Sequence, residues 1–222
     1  MVGDPQDFVK TVRASEKLSM HCNRPIRGVI FDLDGTLVDS ALDFDLMRQE
    51  MRLAPGQPLL ETLATLSEAR ARECRQILER HERAGADRAS VIPGVEALLA
   101  ELKSGQIRTA VFTRNSRQMA LATLDRLGLK LDVVIAREDA PPKPDPTGIS
   151  KVCEVWGLDR REVAMVGDYA FDIEAGIRAG VWTVLYAGGR ETGRIAGYPP
   201  ADFYLSAFEP ADEWLAWLAE PT

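Results

Sequence analysis

The 222-residue sequence contains few cysteines and histidines, and their scarcity excludes several kinds of site. Its three cysteines, Cys22, Cys74 and Cys153, are widely spaced and form no CxxC pair. The sequence therefore supports neither a disulfide framework nor a zinc site. Two histidines, His21 and His81, are too few for a histidine-rich metal centre and disfavour a Ser-His-Asp triad. This cysteine usage favours a reducing, cytoplasmic location.

The sequence also lacks an excess of positive charge and a long hydrophobic run. It has 27 lysines and arginines against 34 aspartates and glutamates, a net charge of −7, which argues against broad nucleic-acid binding. No apolar segment reaches the ~18 residues that a membrane-spanning helix needs. We expect neither a nucleic-acid nor a membrane partner. Residues 1–24 lack the apolar core of a signal peptide, and we interpret them as a polar N-terminal extension.

After residue 24, short apolar runs alternate with helical patterns. Strands are predicted at 28–31, 108–112, 132–136, 163–167, 181–185 and 203–205. Helices are predicted at 94–103, 116–127, 147–156 and 170–179. Strands separated by helices of this length form βαβ units. The predicted fold class is therefore α/β, with a Rossmann-like parallel sheet flanked by helices.

One segment interrupts this alternation between the first strand and the others. Apolar residues recur at helical spacing across 59–78, and a second helix is predicted at 42–53, with Pro55-Gly56 separating the two. We interpret the segment as a small inserted all-helical cap. The predicted boundaries are 41–91 for the cap, and 25–40 with 92–222 for the core.

Polar residues follow three of the predicted strands at the point where each strand ends. Asp32 and Asp34 follow the first strand, Thr113 follows the strand at 108–112, and Asp168 follows the strand at 163–167. The carboxyl ends of parallel strands meet at one edge of a sheet, so these side chains are expected to converge. Lys143, in a proline-rich loop that holds it extended, is expected to join them.

The predicted cluster of acids favours a divalent cation. Two carboxylates as close in sequence as Asp32 and Asp34 repel each other unless one is protonated or a cation lies between them. Asp168 adds a third carboxylate, and Asp172 follows near the start of the next helix. Oxygen ligands favour Mg²⁺, which leaves positions for phosphate oxygens. Taken singly, an acid at such a position is more often a helix cap or part of a surface turn than a catalytic group.

A second group of residues is suited to holding a phosphate. Thr113 begins the segment Thr-Arg-Asn-Ser directly before a predicted helix, and helix N-termini offer free N–H groups to anions. The Thr113 hydroxyl and the N–H groups of Arg114 and Asn115 are candidate phosphate ligands, and Lys143 is a candidate cation. The alternatives are an ordinary helix cap and a solvated lysine.

Four segments together resemble the motifs of the haloacid dehalogenase superfamily. They are Asp32-Leu33-Asp34-Gly35-Thr36-Leu37-Val38-Asp39-Ser40, then Thr113, then Lys143-Pro144, and then Gly167-Asp168-Tyr169-Ala170-Phe171-Asp172. Their order and spacing, over about residues 26–188, are similar to those of the phosphoglycolate-phosphatase-like branch. In that branch a helical cap lies between the first and second motifs.

The resemblance implies a Mg²⁺-dependent phosphatase that acts on a small phosphorylated metabolite through an aspartyl-phosphate intermediate. It implies that Asp32 is the nucleophile and that Asp34 is the general acid and then the general base. The implied Mg²⁺ ligands are Asp32, the backbone carbonyl of Asp34 and Asp168, with Asp172 in support. Thr113 and Lys143 would hold the transferring group. Asp34 argues against a dehalogenase, because the dehalogenases of the superfamily lack this second acid.

Two functional alternatives share the same core: a phosphosugar mutase, and a binding or regulatory protein without useful turnover. Arg114 departs from the resemblance, because smaller residues are common at its position. Its side chain could add a cation to the phosphate site or pair with an acid elsewhere. The predicted cap is also short, and its arginines could contact an acidic substrate or lie on a solvated face; they include Arg48, Arg52 and Arg70. Gly188-Gly189-Arg190 could form a loop at the same edge or a simple turn. The substrate and the oligomeric state stay open.

Overall fold

The computed structural model of the protein describes residues 25–189 and 197–220. The predicted N-terminal extension, residues 1–24, lies outside the described residues, and so does Arg190. Cys74 and Cys153 are buried free thiols. None of the helices in the two described ranges is both long enough and apolar enough to cross a bilayer.

A parallel sheet of six strands forms the centre of the described structure. The strands of the described residues, in chain order, are β1 (Gly28–Phe31), β2 (Val38–Asp39), β3 (Ser90–Val91), β4 (Arg108–Phe112), β5 (Val133–Ile135), β6 (Val163–Gly167), β7 (Trp182–Tyr186) and β8 (Phe203–Leu205). Of these, β2 and β3 lie outside the six-stranded sheet and pair with each other. The sheet has the order β5-β4-β1-β6-β7-β8, and every neighbouring pair is parallel. This topology confirms the predicted α/β class with a Rossmann-like sheet.

Helices cover both faces of the sheet. In chain order they are α1 (Phe44–Glu50), α2 (Leu59–Thr65), α3 (Glu68–Arg88), α4 (Val95–Ser104), α5 (Arg117–Arg126), α6 (Thr147–Trp156), α7 (Ala170–Ala179) and α8 (Asp212–Ala219). Val29 and Phe31 of β1 pack with α4, α5 and α8, whereas Ile30 packs with α6 and α7 on the opposite face. Successive strand side chains point to opposite faces, so a strand buried on both faces is apolar throughout.

The helices α1, α2 and α3 form an insertion between β2 and β3, which we call the helical insertion. Its apolar side chains form a cluster of their own; they are Met47, Met51, Leu59, Leu63, Cys74 and Leu78. β2 and β3 pair antiparallel where the chain leaves and re-enters the core. The long helical pattern predicted across 59–78 divides at Ser67, whose extended backbone (φ −60°, ψ 151°) precedes the first turn of α3.

Three elements were absent from the sequence prediction. β2 and β3 have two residues each, too few for a periodic pattern to reveal them. The third is α8, which packs Trp214 and Leu218 into the core cluster beside the sheet. The predicted strands and the predicted helices of the core agree with the structure to within one or two residues. In the insertion, 42–53 is helical only over α1, and the helix predicted across 59–78 is two helices, of which α3 continues to Arg88.

The C-terminal half of α3 is attached to the core by two arginines. Arg126 of α5 donates from Nε to the carbonyl of Ala86 (2.9 Å) and from Nη2 to the carbonyl of Ala89. Arg137, just after β5, pairs its Nη1 with Oε1 of Glu82 at 2.6 Å. Glu82 is buried, and burial raises its pKa although Arg137 opposes the rise. The long helix therefore belongs both to the insertion and to the core.

Replacing Arg137 by methionine is expected to lower the free energy of unfolding by about 3 kcal/mol at pH 7, because the Glu82 carboxylate would stay buried without its cation. Urea unfolding monitored by tryptophan fluorescence measures the change. Arg75→Met is the matched control, since Arg75 pairs with Glu68 in an exposed position (2.9 Å) and should cost less than about 1 kcal/mol. Equal losses in the two variants would contradict the prediction.

Candidate active site

The predicted polar residues lie at the carboxyl ends of three adjacent strands. β1 lies between β4 and β6 in the sheet, so Asp32, Thr113 and Asp168 follow three neighbouring strands at one edge. Lys143 reaches the same edge from the loop between β5 and α6, and its Nζ lies 2.6 Å from Oδ1 of Asp32. The parallel topology thus brings together side chains that are more than 100 residues apart in sequence, since 111 positions separate Asp32 from Lys143.

Three carboxylates form a cluster at this edge. One oxygen from each of Asp32, Asp168 and Asp172 lies within 4.8 Å of the other two. Asp172, in the first turn of α7, is almost fully buried and accepts a hydrogen bond from the backbone N–H of Tyr169 at 3.0 Å. A Cβ at Gly167 would lie 2.2 Å from Cγ of Asp172, so the end of β6 needs a glycine to admit this carboxylate.

Lys143 lies between two members of the carboxylate cluster. Its Nζ is 2.6 Å from Asp32 and 2.6 Å from Asp172, and only 2% of its side chain is exposed. Burial by itself would lower the pKa of Lys143, but the two carboxylates outweigh burial and the net direction is upward. Burial raises the pKa of Asp172 to about 6 against the attraction of Lys143. The lysine is therefore held as a cation in direct contact with Asp32.

Asp34 differs from Asp32 in its surroundings. Loss of hydration raises the pKa of Asp34 to about 6; the negative charges of Asp32 and Glu82 add to the rise, and hydrogen bonds from Ser40 and Asn115 oppose it. Nδ2 of Asn115 lies 3.4 Å from Oδ2 of Asp34. A carboxyl group with such a pKa can both hold and release a proton near neutral pH.

Asp34→Asn is expected to stabilise the metal-free protein at pH 8. The pKa of Asp34 in the folded state, about 6, exceeds its ordinary value of 3.8. Between these two pH values the folded state therefore binds more protons than the unfolded state, so the free energy of unfolding falls as the pH rises through that window. The asparagine removes this loss, a gain of about 1–2 kcal/mol after allowance for the partial solvent access of Asp34.

Thermal unfolding with EDTA at pH 4 and pH 8 measures this effect. The gain should be present at pH 8 and absent at pH 4, where wild-type Asp34 is protonated. The exposed residue Asp125 provides the matched control, and Asp125→Asn should change stability equally at the two pH values. A destabilised Asp34→Asn variant at pH 8 would contradict the proposed electrostatics.

The loop after β4 is closed by its own hydrogen bonds. The N–H of Asn115 donates to Oγ1 of Thr113 (3.0 Å), and the N–H of Ser116 donates to Oδ1 of Asn115 (2.8 Å). Thr113 and Asn115 are both buried. Asn115 therefore joins the loop to Asp34, and a phosphate taking the N–H of Asn115 must replace or share the bond to Thr113.

The side chain of Arg114 pairs with an acid of the helical insertion. Its Nη2 lies 2.8 Å from Oε2 of Glu61 in α2. Of the insertion arginines considered above, Arg48 is held inside the insertion by the carbonyl of Gln57 (2.9 Å), and Arg70 by the carboxylate of Glu73 (2.7 Å). These contacts account for two of the three arginines without a substrate.

Residues that the sequence analysis did not single out also contribute to this edge. Ser40 donates to Asp34 and is buried, and its place in the segment Asp32–Ser40 was a signal that could have identified it. Glu61 and Glu82 gave no such signal, because they occur among many charged residues of amphipathic helices.

Gly188 and Gly189 form a turn after β7, where the N–H of Gly189 donates to the carbonyl of Ser206 (3.0 Å).

The donor set of the carboxylate cluster fits Mg²⁺. The three clustered side chains supply only carboxylate oxygens, the ligands that a hard divalent cation prefers. Gly35 contributes to the fit, because a Cβ there would lie 2.7 Å from Oδ2 of Asp168. The edge thus combines a carboxylate in contact with a buried cation, a carboxyl group whose pKa is raised to about 6, and a set of oxygen ligands. Such a combination suits phosphoryl transfer.

Comparisons with known proteins agree with this chemistry. Residues 29–186 match the family model described as haloacid dehalogenase-like hydrolase. A haloacid dehalogenase-like hydrolase domain-containing protein of Arabidopsis thaliana is 31% identical over 217 residues, covering 90% of this chain and 86% of the relative. The phosphoglycolate phosphatase of Chromobacterium violaceum is 31% identical over 182 residues, covering 70% and 82%.

A solved structure supports the fold. The crystal structure of a haloacid dehalogenase-like hydrolase of Bacteroides fragilis superposes with a TM-score of 0.69 at 22% identity, covering 82% of this chain and 97% of that one. Together the matches confirm the resemblance drawn from the four motifs. The chain therefore belongs to the haloacid dehalogenase-like hydrolase family, in its phosphoglycolate-phosphatase-like branch, and is an enzyme of the phosphatase type.

Proposed function

We propose that the enzyme is a Mg²⁺-dependent phosphomonoesterase in which Asp32 is the nucleophile. The observation that carries the proposal is the contact between Asp32 and the buried Nζ of Lys143 at 2.6 Å, at the end of the central strand. The positive charge of the lysine offsets the repulsion between the carboxylate of Asp32, the proposed nucleophile, and an incoming phosphate.

In the proposed first step, a carboxylate oxygen of Asp32 forms a bond to phosphorus while the bond from phosphorus to the ester oxygen breaks. Asp34 gives its proton to the departing oxygen, which leaves as an alcohol. In the second step, Asp34 takes a proton from water as the water oxygen attacks phosphorus, and the bond between phosphorus and Asp32 breaks. Inorganic phosphate leaves, and Asp34 is again protonated. A pKa of about 6 suits Asp34 to both steps.

The remaining residues are proposed to hold and neutralise the transferring group. Mg²⁺, when bound, would add positive charge to the phosphate, as phosphoryl transfer requires. We propose that its ligands are Asp32, the backbone carbonyl of Asp34 and Asp168, and that Asp172 supports them through Lys143. The Thr113 hydroxyl, the N–H groups of Arg114 and Asn115, and Lys143 would contact phosphoryl oxygens.

The proposed substrate class is a small phosphorylated metabolite. We propose that the helical insertion, which lies within the predicted cap bounds 41–91, acts as a cap over the site. The relative from Chromobacterium violaceum is named for phosphoglycolate, so phosphoglycolate is the first compound to test here. The buried free thiols of Cys74 and Cys153 are consistent with a cytoplasmic location, which we retain as part of the proposal.

Phosphate release from p-nitrophenyl phosphate tests the proposed function. We expect turnover with Mg²⁺ and at least a hundredfold lower rate after treatment with excess EDTA, restored by added Mg²⁺, because the three clustered carboxylates then repel the phosphate. A phosphate-release screen over phosphorylated metabolites would then identify the substrate. Activity unaffected by EDTA would refute the role of the metal, and an isomerised phosphosugar without free phosphate would indicate the mutase alternative.

A further inference from the structure

Among the described residues, Arg114 is the charged residue of the loop after β4 whose side chain contacts the helical insertion. Two contacts fix its guanidinium to the core: Nη1 donates to the backbone carbonyl of Lys143, and Cζ lies 4.8 Å from the ring centroid of Phe171. Lys143 is the cation of the site, and Phe171 precedes Asp172 in the first turn of α7. The position of the guanidinium is therefore set by the catalytic edge rather than by the insertion.

The remaining edge of the guanidinium is occupied by a carboxylate from the insertion. Oε2 of Glu61 lies 2.8 Å from Nη2, and the side chain of Glu61 is 41% exposed, against 23% for Arg114. Ion pairs with this much exposure contribute little to stability, because water competes for both partners. Glu61 can consequently give way to another carboxylate without loss of the two contacts that Arg114 makes with the core.

Arg114 follows Thr113 directly in the chain, and its guanidinium lies between the core and Glu61 of the helical insertion. Arginine offers two parallel N–H donors that match a carboxylate, which gives such contacts both strength and geometric selectivity. With a substrate that carries no carboxylate, Glu61 would remain the acid paired with the guanidinium of Arg114.

We infer that the side chain of Arg114 determines substrate specificity by binding a carboxylate on the leaving group, and that Glu61 occupies this position until such a substrate displaces it. The inference rests on the proposed phosphatase function. It narrows the substrate class to phosphate esters of hydroxycarboxylic acids. The backbone N–H of Arg114 keeps its separate role toward the phosphate.

Binding of two non-hydrolysable phosphonates tests the inference without turnover. 3-Phosphonopropionate carries a phosphonate and a carboxylate, and propylphosphonate has the same chain without the carboxylate. Isothermal titration calorimetry with Mg²⁺ present should show that the wild-type protein binds 3-phosphonopropionate about tenfold or more tightly than propylphosphonate, as expected for a charge-assisted contact. Equal affinities, or no binding of either compound, would overturn the inference.

Three variants separate the proposed role from a merely structural one. Arg114→Gln should reduce the affinity ratio of the two phosphonates to below about threefold, and Glu61→Gln should raise it by about threefold, because the competing carboxylate is gone. Glu68→Gln is the matched control, since Glu68 pairs with Arg75 within α3 and should leave the ratio unchanged. If both test variants changed the two affinities equally, the pair would only attach the insertion to the core, and the inference would be wrong.

Hydrolysis of p-nitrophenyl phosphate by the wild-type protein distinguishes failure of the proposed role of Arg114 from failure of the proposed phosphatase function. Turnover of this ester, whose leaving group carries no carboxylate, combined with equal phosphonate affinities would leave the phosphatase proposal intact and overturn the role of Arg114. Absence of turnover would refute the phosphatase proposal itself. In kinetic form, the ratio of kcat/KM for 2-phosphoglycolate to that for 2-hydroxyethyl phosphate should exceed about ten and fall in Arg114→Gln.

Discussion

Asp32→Asn is expected to lower kcat for phosphate release by about 10⁴-fold or more, the largest effect among the substitutions considered. The amide of asparagine lacks the negative charge with which Asp32 would attack phosphorus, and the other carboxylate in contact with Lys143, that of Asp172, belongs to α7 and not to the end of β1. Release of p-nitrophenol and phosphate with Mg²⁺ present measures the loss. The fold should survive, because Lys143 keeps its contact with Asp172 at 2.6 Å.

The matched control for this substitution is Asp125→Asn, which makes the same chemical change on the exposed surface of α5. It should leave kcat within about twofold of the wild-type value, since surface substitutions away from special features have small effects. Thermal unfolding of both variants excludes loss of structure as the cause. Retention of more than a tenth of the wild-type rate by a folded Asp32→Asn protein would eliminate Asp32 as nucleophile.

Lys143→Met is expected to reduce both activity and stability. Asp32 and Asp172 would face each other at a buried edge without the cation that now lies between them. Removing one partner of a buried ion pair costs about 3–5 kcal/mol, and removing a group that stabilises developing charge lowers kcat by about 10²–10³-fold. Urea unfolding in EDTA and phosphate release in Mg²⁺ measure the two effects separately.

A second substitution distinguishes these two roles of Lys143. Asp172→Asn removes one of the two buried negative charges, so the double variant Lys143→Met/Asp172→Asn should recover most of the lost stability. It should not recover turnover, because the cation beside Asp32 is still missing. A double variant as active as the wild-type protein would show that Lys143 is only structural.

The sequence predicted the sheet well because its inner strands are buried on both faces. Four of the six strands of the sheet, β1, β4, β6 and β8, have the predicted bounds, since a short apolar run bounded by polar turns is a local signal. The helical insertion was harder to predict. Leu59 to Leu78 keep a helical period across Ser67, so the pattern alone does not reveal the break between α2 and α3.

The polar residues of the site were predictable for a different reason. In a parallel sheet, a residue that follows a strand lies at the common edge whatever the length of the connection, so the places of Asp32, Thr113 and Asp168 followed from the order of strands and helices. The partners of these residues were not predictable in this way. The contact between Arg114 and Glu61 joins a loop to a helix whose orientation local patterns do not specify.

The sequence by itself determined the α/β alternation and the placing of acids, a threonine and a lysine next to strand ends, because periodicity and chain breaks act over a few residues. Beyond the expected convergence of Lys143 with Asp32, only the tertiary structure decided which charges meet: Lys143 with Asp172, Glu82 with Arg137, and Arg114 with Glu61. Their positions are set by how helices pack on the sheet, and packing depends on contacts between distant parts of the chain. Burial then raises the pKa of Asp34 to about 6, a property of its surroundings and not of its neighbours in sequence alone.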